Sequence, residues 1–354
     1  MKAYQFDEHG GPITAHEHAT PTPEGAQVLI KVGACGVCHS DVHLWEGYFG
    51  LGGERRLDTR GSQQALPFTL GHEIVGEVVA LGPDASSGAS GVSVGDSRVV
   101  YPWIGCGECA TCQRGDEQLC NRPAALGVNV DGGYADHVLV PHPRYLHDYG
   151  DAPASLACTY ACSGLTAFGA LKKVQSRAQG SFLLIVGAGG VGLAGVMIAQ
   201  AIMDTEIIVA DIDPAKLEAA KAAGAAHLID SREADAGKQV AKLTRGGAPA
   251  VVDFVGNDAS AKFATGAVAK GGLAVMVGLM GGELRMALPM LPLKNMGIQG
   301  SYTGRPDEMA ALMALVRDGK VKPMPVAERP LADVAQMVED LRDGKIVGRV
   351  VVTP

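Results

Sequence analysis

The sequence predicts an α/β protein: a β-rich first part, then a doubly wound parallel sheet. Three observations predict this. From about residue 162 onward, nearly continuous apolar runs at 182–186, 206–210, 250–255 and 273–277 alternate with helical stretches. Strands that lack polar alternation belong in a parallel sheet covered on both faces. The run 182–186 leads directly into Gly187-Ala188-Gly189-Gly190-Val191-Gly192 and a helical stretch to about residue 203, which is the strand–turn–helix setting of a dinucleotide site. Before residue 150, by contrast, the apolar segments are short, branched and bounded by Gly, Pro or Asp.

Taken in order, 26–33 (AQVLIKVG), 74–80 (IVGEVVA) and 98–101 (RVVY) read as strands. The stretch 50–65 (GLGGERRLDTRGSQQA) has the length and mixed charge of an exposed loop, and 84–91 (DASSGASG) is a polar small-residue loop. In the second part, the run 206–210 ends in Asp211, and 214–223 is helical with Pro214 suited to a first helical position. The segments 306–316 and 331–341 read as amphipathic helices. In the latter, Leu331, Val334, Val338 and Leu341 recur at steps of 3, 4 and 3. A final strand is expected at 348–352, and no internal repeat occurs.

The chain has 354 residues, 47% of them hydrophobic, enough for two domains with sizeable cores. Its formal net charge of −8 argues against nucleic acid or an anionic membrane surface as partner, since both reward clustered Lys and Arg. The start, MKAYQFDEHG, lacks the apolar run of a signal peptide, and the apolar region 182–202 is interrupted by glycines, which suits a strand–turn–helix better than a membrane span. A cytoplasmic protein is expected, and its eight cysteines are then metal ligands or buried thiols rather than disulfides.

Cys106, Cys109, Cys112 and Cys120 form C-x2-C-x2-C-x7-C. Four thiolates so close together suit a closed tetrahedral zinc site that stabilises a lobe and does no chemistry. An iron–sulfur cluster and two disulfides remain alternatives. A second constellation is Cys38, His72 and Cys162: one Cys, one His and one Cys are the three ligands of an open zinc. Cys35 and Cys158 read as buried apolar residues. In the glycine turn, the pyrophosphate of a dinucleotide approaches the helix N-terminus, where free N–H groups favour an anion. Asp211, 19 residues after Gly192, would accept hydrogen bonds from the adenosine ribose and repel a 2′-phosphate, so NAD is expected over NADP.

The run Cys38, Ser40, Asp41, His43, then Gly71-His72-Glu73, the four-cysteine lobe, Cys162-x-x-x-Thr166 and GAGGVG resembles the zinc-dependent medium-chain alcohol dehydrogenase family over nearly the whole chain. The resemblance implies a GroES-like β-barrel catalytic domain, 1–160 plus 303–354, and an inserted Rossmann NAD-binding domain, 161–302, with the active site in the cleft between them. It implies two zinc ions per subunit, the catalytic one on Cys38, His72 and Cys162, with Glu73 beside it as a transient ligand. Asp41 would hydrogen-bond the zinc-ligating His72. Ser40 and His43 would relay the alcohol proton to solvent through the cofactor ribose; capping of a local helix is their alternative role. Lys216 would contact ribose and Thr166 the nicotinamide. Val277 and Leu279 would meet the carboxamide through backbone groups, and His39 and Arg349 would flank the pyrophosphate. A homo-oligomer, tetramer or dimer, is implied as well.

The activity so implied is hydride transfer between NAD and a primary or secondary alcohol, apolar or aromatic, giving an aldehyde or ketone. Polyol, amino-alcohol and formaldehyde-adduct dehydrogenases share the scaffold, and a non-catalytic NAD-sensing protein is a remoter alternative. One departure stands out: 34 residues separate Cys38 from His72, about a dozen more than the family usually has, and the excess falls in 50–65. That segment is expected to enlarge, cover or narrow the substrate cleft, or to form a subunit contact. Trp45, Phe49 and Trp103 are candidate pocket walls.

Overall fold

The computed structural model describes residues 1–62, 65–85, 91–346 and 348–354. Two large sheets organise the chain. One is built from short antiparallel strands in the order Leu146–His147, Ser97–Val100, Glu73–Leu81, Val28–Gly36, Arg349–Thr353 and Val326–Pro330, of which only the last pair is parallel. His137–Val140 also pairs with Val28–Gly36. The C-terminal strand therefore returns to the sheet begun near the N-terminus, with Val351 opposite Gly36, and Gly36 in turn opposite Glu73. A smaller sheet sets Lys2–Phe6 between Ile13–Glu17 and Phe68–Thr69.

The second large sheet is six-stranded and wholly parallel, in the order His227–Asp230, Thr205–Asp211, Ser181–Val186, Ala248–Asp253, Val268–Met276 and Gly297–Gly300. In chain order this is 3-2-1-4-5-6, with its reversal between Ser181–Val186 and Ala248–Asp253, where doubly wound sheets open a ligand crevice at their carboxyl ends. Leu183, Leu184 and Ile185 have no exposed surface, as the continuous apolar run requires. The helix Pro214–Ala223 has the expected bounds. The Asp213 side chain accepts from the Ala215 N–H at 2.8 Å to cap it, and Gly224 ends it at φ 111°.

Several expectations need correction. The stretch 50–65 is not simply a loop: Arg56–Asp58 pairs with Tyr48–Gly50 in a two-stranded hairpin. The strand expected at 250–255 stops at Asp253, whose carboxylate accepts from the Val255 and Gly256 N–H groups at 2.8 and 3.1 Å and turns the chain out of the sheet. The segment 331–341 begins as a 3-10 turn, Leu331–Asp333, before the helix Val334–Arg342. Of the loop 84–91, residues 86–90 lie outside the described residues. Among the described residues no single helix is long and apolar enough to cross a membrane. The bent pair Ala154–Ala161 and Ser163–Ala178 passes that test only jointly, and most of its residues are packed inside the protein.

Candidate active site

Three separate elements deliver one metal-binding cluster. Cys38 caps the helix His39–Glu46 directly after the strand Val28–Gly36. His72 precedes the neighbouring strand Glu73–Leu81, and Cys162 caps the helix Ser163–Ala178. The ligand atoms of Cys38, His72 and Cys162 all lie within 4.8 Å of one another, and the two Sγ atoms are 4.0 Å apart. Zinc–sulfur bonds of about 2.3 Å in a tetrahedron put two sulfurs about 3.8 Å apart. His72 is fully buried. Its Nδ1 donates to Asp41 Oδ1 at 3.1 Å, and its Nε2 has no hydrogen-bond partner. A buried nitrogen left unpaired in this way fits a lone pair reserved for a metal.

Asp41 is itself held firmly. It accepts from the Cys38 N–H at 2.9 Å, the Tyr134 hydroxyl at 2.9 Å and the Gly71 N–H at 3.2 Å. Cys162 shares a hydrogen bond with Cys38 that holds the Cys38 thiol well below its ordinary range, while that bond and burial push the Cys162 thiol well up, so Cys38 is the thiol that gives up its proton first. Glu73, beside the cluster, is fully buried and ion-paired with Arg349, and it accepts from the Ser163 N–H at 3.2 Å. Burial pushes its carboxyl up to about 7 against the pull of the Arg349 charge. Arg349 is buried too, with its Nε unpaired.

The four-cysteine lobe is a second cluster. The Sγ separations are 3.5 Å for Cys109–Cys112, 3.8 Å for Cys109–Cys120 and 3.9 Å for Cys106–Cys112. These are far beyond a disulfide bond and close to the edge of a single-zinc tetrahedron. Backbone N–H groups of Cys106 and Arg122 point at Cys120 Sγ, each at 3.3 Å, which stabilises thiolate charge.

At the carboxyl end of the parallel sheet, Gly187–Gly192 makes a tight turn in which Gly187, Gly190 and Gly192 have no room for a side chain. A Cβ on Gly192 would overlap the Gly187 carbonyl, and one on Gly190 would overlap the Arg349 stem. Arg349 therefore links the glycine turn to Glu73. Asp211 ends the next strand and accepts from the Ala188 N–H at 2.7 Å, which sets its carboxylate against the turn. His39 and half-buried Lys216 lie near Arg349; His39 keeps an exposed edge, but the protein packed around its ring, together with those cations, pulls the imidazole below its ordinary value. Thr166 lies one turn into the helix that Cys162 caps, its N–H on the Cys162 carbonyl at 2.8 Å. The Val277 N–H is taken by the Asp253 carbonyl at 2.9 Å, so a ligand contact from Val277 must use its carbonyl.

A cavity of about 450 Å³ opens between the two sheets. Ser40, Phe49, Trp103 and Tyr302 line it from one side, Gly278 and Leu279 from the other. Trp103 stands 5.3 Å from the His72 ring, with its indole N–H on the Ala161 carbonyl at 3.0 Å. Trp103 ties the cavity to the metal cluster, and Gly256 and Gly278 tie it to the carboxyl ends of the parallel strands beside the anion cradle.

Two family models match: an alcohol dehydrogenase GroES-like domain over residues 24–151 and a zinc-binding dehydrogenase domain over 190–318. An NAD-dependent alcohol dehydrogenase of Sulfurisphaera tokodaii is 38% identical over the full length of both chains. The chain belongs to the zinc-dependent medium-chain alcohol dehydrogenase family. The NAD-dependent alcohol dehydrogenase of Saccharolobus solfataricus is 37% identical, again over all of both chains. The crystal structure of the alcohol dehydrogenase of Aeropyrum pernix superposes with a TM-score of 0.88 at 30% identity, covering 100% of each chain.

Within this alcohol dehydrogenase fold, some expected residues lie elsewhere and others were not foreseen. Phe49 and Trp103 are cavity walls, but Trp45 is not. Its indole packs in the core, donates to the Gly11 carbonyl at 2.7 Å and lies 5.5 Å under the Arg342 guanidinium. Ser40 and His43 cap nothing: the cap of their helix is Cys38. The His43 ring lies tilted at 42° against Phe49 with centroids 4.7 Å apart, and burial together with neighbouring His39 holds its imidazole below the ordinary value. Tyr134 and Tyr302 carried no sequence signal, because isolated tyrosines have no motif. Leu51 and Leu57, also on the cavity wall, fall in the segment 50–65 expected at the cleft, whereas Val128 carried no signal.

Proposed function

We propose that this protein oxidises primary or secondary alcohols carrying apolar or aromatic groups to aldehydes or ketones, reversibly, with hydride transfer to NAD. The observation that carries this is the unpaired, fully buried Nε2 of His72 beside Cys38 and Cys162, near an apolar cavity that reaches the loops after the parallel strands Ala248–Asp253 and Val268–Met276. Zinc held by Cys38, His72 and Cys162 supplies, when bound, a Lewis acid that polarises the substrate oxygen. Asp41 fixes the His72 tautomer so that Nε2 faces the cluster. Ser40, on the cavity wall, accepts the hydroxyl proton as it hands on its own, and His43 delivers that proton to water. The lowered proton affinity of His43 keeps it free to accept at neutral pH.

Arg349 and His39 hold the pyrophosphate against the glycine cradle. Asp211 and Lys216 hold the adenosine ribose, and the Asp211 carboxylate disfavours a 2′-phosphate. Thr166, with the backbone of Val277 and Leu279, orients the nicotinamide. Glu73, tied to Arg349, connects the cofactor side to the metal side. Cys106, Cys109, Cys112 and Cys120 hold the second zinc, which braces its lobe. The catalytic domain is 1–160 with 303–354, the NAD domain 161–302, and the subunits form a homo-oligomer in a reducing, cytoplasmic setting.

The test is zinc content and NADH absorbance on one purified sample against primary, secondary, benzylic and polyol substrates. About two zincs per subunit and turnover of apolar alcohols are expected. One zinc and no turnover in a folded, NAD-binding protein would overturn the assignment in favour of a sensor.

A further inference from the structure

The hairpin of Tyr48–Gly50 and Arg56–Asp58 belongs to neither the metal cluster nor the nucleotide cradle. It leaves the metal side of the cleft just after the helix that carries Ser40 and His43. At its tip, Arg55 forms an ion pair with Glu283 and donates to the Leu51 carbonyl at 3.0 Å. Glu283 lies on the loop that follows the parallel strand Val268–Met276, and its N–H donates to Asp258 at the start of the helix Asp258–Ala267. The main chains also meet: a Cβ on Gly281 would stand 2.7 Å from the Gly50 carbonyl oxygen. The hairpin therefore spans from one sheet to the other.

On its inner side, Leu51 and Leu57 face the cavity that Trp103 and Tyr302 line. Leu51 is 41% exposed and Leu57 54%, so a ligand has apolar surface left to cover. Phe49, in register with Leu57, packs on His43. A cavity of about 450 Å³ has to take the nicotinamide at Leu279 as well as the alcohol, and it still leaves room for a ring-bearing substrate.

We propose that this hairpin is the specificity wall of the alcohol site: Leu51 and Leu57 select substrates by the apolar bulk beyond the carbinol carbon, and the Arg55–Glu283 pair holds the wall in place. The proposal rests on the cavity being the alcohol site. A short alcohol leaves both leucines uncovered, whereas an aryl group reaches them. Loss of a few buried methylenes from such a wall changes discrimination by about tenfold or more. The ion pair is largely exposed, so it sets position more than stability.

The test is the ratio of kcat/KM for 1-phenylethanol to that for ethanol in the zinc-loaded, full-length enzyme. Leu57→Ala and Leu51→Ala are each expected to lower the ratio about tenfold. Arg55→Glu is expected to raise KM for 1-phenylethanol several-fold, and the swap Arg55→Glu with Glu283→Arg to restore it, a coupling that simple misfolding would not produce. A ratio unchanged within about twofold in both leucine variants, or a swap that restores nothing, would overturn the wall while leaving the alcohol dehydrogenase assignment intact. A wild-type enzyme that turns over neither alcohol nor any other on the panel would overturn the cavity assignment, and the wall with it.

Discussion

Replacing Arg349 by Met separates the two jobs proposed for one side chain, pairing with Glu73 and holding the pyrophosphate. The guanidinium is buried, its Nε is unpaired, and its only ion-pair partner among the described residues is Glu73. Removing one member of a buried pair leaves an uncompensated charge and costs about 3–5 kcal/mol. Here the loss should fall near the lower end, about 3 kcal/mol, because the Glu73 carboxyl already sits at about 7 and can discard its charge by taking a proton. The cofactor loses a charge-assisted contact to its pyrophosphate as well, worth about 1.5–3 kcal/mol, or roughly 10- to 150-fold in NAD affinity. The double variant Arg349→Met with Glu73→Gln removes both buried charges. It is expected to regain most of the stability and none of the NAD affinity. Thermal unfolding of the apo and NAD-bound proteins, with calorimetric titration of NAD, reads both terms. If Arg349→Met binds NAD as tightly as wild type, or if the double variant recovers affinity together with stability, the pyrophosphate role of Arg349 is refuted.

Other consequences follow from single contacts. Asp41→Asn should weaken zinc at the Cys38–His72–Cys162 cluster by about 10- to 100-fold, because the amide no longer fixes the His72 tautomer; competition with a chelator measures it. Asp211→Asn keeps an acceptor for the Ala188 N–H but removes the repelling charge, and should move the NADP-to-NAD ratio of kcat/KM upward by about tenfold or more; an unchanged ratio would show that Asp211 does not face the ribose. His147 is held at about 4 by burial and by the Arg317 charge, against about 6.5 for a free imidazole. Its neutral form is the folded one, so its contribution is complete above about pH 6.5 and is lost as pH falls toward 4, up to about 3 kcal/mol. His147→Leu should flatten the acid limb of stability over that window, as followed by urea unfolding at pH 7 and pH 5.

The parts legible in the sequence are those whose chemistry fixes short spacings. Four thiolates on one ion and a glycine turn opening a helix cannot be spread along the chain, so Cys106 to Cys120 and Gly187 to Gly192 announce themselves. Cys38, His72 and Cys162 offer the right ligand types but no short spacing, and the resemblance is what groups them, because strand pairing and two helix starts bring them together. The Glu73–Arg349 ion pair joins residues 276 positions apart and depends on Gly36 lying between the Glu73 strand and the C-terminal strand, a register no local pattern encodes. The hairpin within 50–65 was hidden because its inward leucines sit among charged residues that read as a solvated loop. Trp45 misled for the opposite reason: nearness in sequence to the metal motif does not say which face of the helix His39–Glu46 turns to the cavity.

The central claim is that Cys38, His72 and Cys162 form a chemically active zinc site apart from the bracing site of the cysteine lobe. Zinc per subunit, NAD affinity and NADH formation, all measured on Cys162→Ser beside wild type, test it most directly. Zinc falling from about two to about one, NAD still bound, and turnover lost by at least about a thousandfold are the predicted result. Both zincs retained with turnover intact would contradict it.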